Sequence, residues 1–132
     1  MESKPDYTSA EIGPITALSR VTLKNTLGLT GAEVSANCIP AGRESLFAHA
    51  HKRNEEIYLF TSGKGLFWLD GKICPVKEGS VFRVAPKCFR SIKADDSGPL
   101  SYFCIQVEEN SLVQDTREDG IGSDIKPTWQ GI

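Results

Sequence analysis

Apolar residues along this chain come in short runs cut by glycine and proline, and no window of a dozen residues repeats them at the three- and four-residue spacing of an amphipathic helix. The runs read as strands. Nine candidate segments follow, at residues 21–24, 33–39, 45–51, 56–61, 65–69, 73–76, 80–85, 88–93 and 100–107. Short strands at this close, regular spacing are the pattern of a sandwich or barrel. An all-β fold is therefore expected over about residues 18–108, flanked by an N-terminal arm at 1–17 and a C-terminal tail at 109–132. Asp70-Gly71 stands between two of the runs, and this dipeptide accepts the positive φ angles of a type I′ turn, which predicts a tight hairpin. Ile57-Tyr58-Leu59-Phe60 and Leu66-Phe67-Trp68-Leu69 are apolar at consecutive positions, so both faces of these strands want cover. A second subunit, the arm or the tail could supply it. A homodimer is the expectation, because an uncovered patch of this kind exceeds what monomers usually expose.

At 132 residues and 39% hydrophobic composition, the chain can bury one sizeable core but not two, so one domain spanning 1–132 is expected. Fifteen Lys and Arg stand against 17 Asp and Glu, a formal net charge of −2 without any block of like charge, and this leaves no basic footprint for nucleic acid. The opening MESKPDYTSAEIGP lacks the basic and apolar regions of a secretory signal, and no apolar run reaches membrane-spanning length, so a cytoplasmic location is expected. Cys38, Cys74, Cys88 and Cys104 form no C-x-x-C pair and read as reduced thiols in strands. Two look-alike motifs fail on inspection. In the tail, Asp115, Asp119 and Gly120 fit a calcium loop, but Arg117 and Lys126 occupy its third and twelfth ligand positions. Ser62-Gly63-Lys64-Gly65 lacks the first glycine and the Ser or Thr of a phosphate loop and reads as a turn.

The chain's only histidines are His49 and His51, and in a strand residues two apart point to one side, which Phe47 shares. Two imidazoles so placed can chelate one divalent cation, and a carboxylate from the next strand would complete a facial set of three. Glu55 and Glu56 open that strand, and only one of them can face inward. Two histidines on an edge strand can equally serve as plain hydrogen-bonding groups.

The order Gly42, six residues, His49-Ala50-His51, four residues, Glu56, six residues, Gly63 resembles the first motif of the cupin superfamily, and Pro40-Ala41-Gly42 resembles the turn that leads into it. The resemblance covers about residues 31–107 and implies a double-stranded β-helix, or jelly-roll, barrel. It selects Glu56 over Glu55 and implies a divalent metal (Zn, Fe, Mn or Ni) on His49, His51 and Glu56. The second motif is eroded: Gly79 is in place, but Ala85 stands for the proline, Lys87 for the glycine, Arg90 for the histidine and Ala94 for the asparagine. A guanidinium binds no metal; it would pair with Glu56 in the metal's place, or hold an anionic substrate group. Cys88 shares a face with Arg90 if residues 88–93 form a strand, and Tyr102, Cys104 and Gln106 alternate with Phe103, Ile105 and Val107, leaving open which set faces inward. The candidate ligand-binding residues are Arg90, Tyr58, Cys88 and Gln106. Two functions follow. One is a small-molecule-binding cupin with a divalent metal, which as an enzyme would carry out oxygenation, isomerisation or decarboxylation; the other is a metal-free binding or sensing module in which Arg90 replaces the metal and holds an anion such as a sugar acid. The sequence does not decide whether the protein is an enzyme.

Overall fold

A computed structural model describes residues 5–114 and 116–129. Asp115, the first position of the rejected calcium pattern, lies outside the described residues, as do the first four residues of the arm and the last three of the tail. Among the described residues, eight strands form two sheets. In chain order they are β1 (Arg20–Thr22), β2 (Glu33–Ile39), β3 (Asn54–Ser62), β4 (Lys64–Leu69), β5 (Lys72–Lys77), β6 (Val81–Val84), β7 (Arg90–Ala94) and β8 (Leu100–Glu108). The larger sheet has the order β1-β2-β8-β3-β6 and the smaller β5-β4-β7, with every pairing antiparallel. Together they make the expected jelly-roll barrel.

Inward-facing side chains close the barrel at one end. On β3, Glu56, Tyr58 and Phe60 are buried while Ile57 and Leu59 are only half-buried, and on β4 the inward residue Phe67 is fully buried. The rings of Tyr58 and Phe67 meet edge to face with centroids 4.8 Å apart, and those of Phe60 and Tyr102 lie 5.5 Å apart, contacts that add to the burial of the rings. The predicted hairpin is present: Leu69 pairs with Lys72, and Asp70 and Gly71 have φ of 48° and 94°.

Three local expectations need correction. Residues 45–51 do not form a continuous strand; the segment follows β7 as an irregular edge, bonded at Ser45 and His49, while Leu46 and Phe47 bulge toward solvent. The first strand stops at Thr22, because Lys24–Leu27 forms a single helical turn (α1) ended by Gly28 in the left-handed conformation. The seventh strand begins at Arg90 instead of residue 88, because Pro86-Lys87 makes a turn with Lys87 at φ 72°. The arm carries a 3-10 turn at Ile15–Ala17 that packs on β2 and β8. The described tail carries a second short helix, α2 (Thr116–Asp119), and its residues are exposed. Among the described residues, no helix is long and apolar enough to cross a membrane.

Candidate functional site

At the open end of the barrel the cross-strand registers line polar groups up in rows. Glu33 of β2, Gln106 of β8 and Glu56 of β3 form one row; Ser35, Cys104 and Tyr58 form the next; and Arg20 of β1, Asn37 and Tyr102 form the third. Residues two apart in a strand share a face, so the three rows stand on the barrel's inner wall. With Phe47, His49 and His51 from the irregular edge, all of these residues except Asn37 line a recess of about 410 Å³, a volume suited to a small molecule.

Glu56 is the floor of this recess, 4% exposed. Its Oε1 accepts hydrogen bonds from the Tyr58 hydroxyl and from Arg90 Nη1, both at 2.7 Å. Its Oε2 accepts from the Cys104 thiol at 3.2 Å. His49 Nε2 lies 3.7 Å from Oε1 and His51 Nε2 lies 3.3 Å from Oε2. Burial by itself would raise the Glu56 pKa. The hydrogen bonds from Tyr58 and Cys104 and the charges of His51 and Arg90 outweigh it, so the carboxyl is held below its ordinary range. Burial is also the main reason that His49 titrates below the usual imidazole range, with Arg90 and His51 acting in the same sense and Glu56 opposing. The Tyr58 hydroxyl and Cys104 thiol are pushed upward by burial and by Glu56, so both remain proton donors at neutral pH. Tyr102 is pushed up to about 12, chiefly by burial.

His49, His51 and Glu56 each offer one ligand atom, and these atoms lie within 4.8 Å of one another. Two imidazoles and a carboxylate are a common donor set for a transition metal. His51 Nε2 is buried and has no hydrogen-bond partner among the described residues, an arrangement costly for a polar atom unless something else binds it. The residues present therefore fit a divalent cation. Arg90 and Tyr58 occupy Oε1, which leaves Oε2 turned toward His51.

Of the residues singled out in the sequence, His49, His51, Glu56, Tyr58 and Gln106 line the recess. Arg90 is different: it is 1% exposed, lies behind Glu56, and spends Nη2 on the carbonyl of Ala85 at 2.9 Å. It pairs with Glu56 as the sequence suggested, through one nitrogen, Nη1. Cys88 does not come to the recess. The turn at Pro86-Lys87 removes it from the Arg90 face, and its thiol points to the carbonyl of Phe89. Cys104 takes the place beside Glu56, because the inward set of β8 is Tyr102, Cys104 and Gln106. Arg20, Glu33 and Ser35 were not singled out in the sequence at all. Their place depends on the β1-β2-β8 register, which pairs segments far apart in the chain.

Residues 40–127 match the AraC-like ligand binding domain family. Among solved structures, a cupin protein from Bacteroides fragilis is 40% identical, with 91% of this chain and 99% of that one covered and a TM-score of 0.85. A Cupin 2 conserved barrel domain protein from Salinispora arenicola shares the fold at 18% identity, covering 77% of this chain and 92% of that one with a TM-score of 0.62. An uncharacterized protein of Methanocaldococcus jannaschii is 35% identical over 66 residues, which is 50% of this chain and 52% of that protein. The match thus spans about half the length of that curated relative.

Proposed function

The chain belongs to the cupin superfamily as an AraC-like ligand-binding domain, and on that premise we propose that it binds a small molecule in the recess above Glu56, over a divalent transition metal held by His49, His51 and Glu56. The observation that carries the reading is His51 Nε2: a buried nitrogen with no hydrogen-bond partner, 3.3 Å from Glu56 Oε2, the oxygen that accepts only the Cys104 thiol. A metal there would act as a Lewis acid toward a bound oxygen. The chain's own part is to orient: Arg90 and Tyr58 fix the carboxylate through Oε1, and the low pKa of His49 keeps its nitrogen unprotonated for ligation at neutral pH. One architecture of this kind hosts many activities, so the reading stops at metal-assisted ligand binding.

A second reading is favoured by the ion pair between Arg90 and Glu56. A guanidinium this close neutralises the carboxylate and makes a metal-free ligand-binding module workable. Elemental analysis separates the two. Protein produced with metal supplementation should carry about one transition metal per chain, and Glu56→Gln should carry much less. Wild-type protein without metal after supplementation would transfer the function to the metal-free reading.

A further inference from the structure

Two arginines stand near the recess, Arg20 and Arg90, and only one of them opens into it. Arg90 cannot meet a ligand, because its guanidinium is sealed behind Glu56 with Nη1 and Nη2 committed. Arg20 does face the recess. β1 sets it at the end of the row Arg20, Asn37, Tyr102, and its charge is felt at His49, Tyr102 and Cys104. Its one hydrogen bond among the described residues is a long one, 3.4 Å from Nη1 to Asn37 Oδ1. No carboxylate among the described residues pairs with it. Glu33, the other acid on this wall, accepts the backbone N–H groups of Leu23 and Lys24 at 3.1 and 2.8 Å, both through Oε1, and makes no ion pair with Arg20. The Tyr102 hydroxyl, in the same row, also has no hydrogen-bond partner among the described residues.

A guanidinium with open donors at the mouth of a small-molecule recess is built for a planar oxyanion, which it takes through two parallel N–H bonds. We infer that Arg20 anchors a carboxylate of the ligand, so that the recess takes a small organic acid whose far end reaches toward His49, His51 and Glu56. This rests on the recess being the ligand site, but it does not need the metal. The fork geometry separates it from a mere excess of positive charge, since lysine keeps the charge and loses the fork.

The test uses the full chain and three probes, acetate, succinate and glutarate, with succinamide and inorganic phosphate as controls, in calorimetric titrations of wild type, Arg20→Gln and Arg20→Lys. Metal content and circular dichroism are recorded for each preparation. At least one acid should bind the wild type, at least tenfold more weakly to Arg20→Gln and by an intermediate factor to Arg20→Lys, with succinamide not binding and the fold and metal content unchanged. That pattern in protein that stays metal-free after metal supplementation sustains the anchor and removes the metal reading. Metal present with acid binding indifferent to Arg20→Gln does the reverse and overturns the inference. Binding of none of the three acids, or of phosphate in preference to all of them, overturns it as well.

Discussion

Glu56 keeps its charge inside the barrel because Tyr58, Arg90 and Cys104 all donate to it. That arrangement has a sign in pH. A carboxyl whose folded pKa lies below its ordinary 4.5 adds stability above that value and loses it as pH falls through the folded pKa. His49, held below 6.5 by burial, acts in the same direction, since acid must charge a partly buried imidazole. Urea unfolding of metal-stripped protein should therefore show stability falling from about pH 6.5 downward, and the part below about 4.5 should be smaller in Glu56→Gln; a pH-independent midpoint would contradict this. Tyr58→Phe removes a hydrogen bond to a charged acceptor and should cost about 1.5–3 kcal/mol in the same assay. Arg90→His brings two opposed effects on metal affinity. A +1 and a +2 charge within about 6 Å repel by roughly 5 kcal/mol at an effective dielectric near 20, whereas outer hydrogen bonds to ligands contribute about 10–100-fold, or roughly 1–3 kcal/mol. Repulsion wins, so the variant should bind metal at least tenfold more tightly, about 1.4 kcal/mol. A fall in affinity would mean that Arg90's grip on Glu56 matters more than its charge.

The elements follow the sequence where one residue type dictates one backbone shape. Gly42, Gly63 and Gly79, the glycines of the two motifs, all have positive φ, at 71°, 81° and 89°. At Gly63 a Cβ would also run into the carbonyl oxygen of Pro99. Gly63→Ala should thus cost about 3 kcal/mol or more, combining strained φ with a backbone clash, and lower the thermal midpoint accordingly; a neutral variant would show that the turn can move. Short apolar runs cut by glycine and proline marked β2 in full and most of β3, β4 and β8, and the His-x-His spacing placed two imidazoles side by side, with ring centroids 5.3 Å apart. It did so for an imperfect reason, since His49 is held by a lone bridge to Arg90 and not by a strand. What stayed hidden depends on long-range pairing. Arg20 lies 36 residues before Glu56 in the chain and reaches the recess only through the β1-β2-β8 register, and Cys88 left it through one residue, Lys87, in an uncommon conformation.

On the scale of the molecule, the outer face of the smaller sheet leaves Leu66, Trp68 and Ile73 at 41%, 37% and 59% exposure, beside the bulge at Leu46 and Phe47. The described tail does not cover them, since its residues are themselves exposed. Light scattering is expected to report a dimer or larger species, and Trp68→Glu to shift it toward monomer; a wild-type monomer at working concentration would remove the argument. Phe47 belongs both to that face and to the recess, so association and ligand binding would meet at one side chain. The recess itself is tested most directly by calorimetric titration of Zn²⁺, Fe²⁺, Mn²⁺ and Ni²⁺ into chelator-stripped wild type and His51→Ala, with circular dichroism on both. The account predicts one ion bound per wild-type chain and at least a hundredfold loss of affinity in His51→Ala with the fold intact, whereas a wild type that binds none of the four ions, or a folded His51→Ala that binds them equally well, would contradict it.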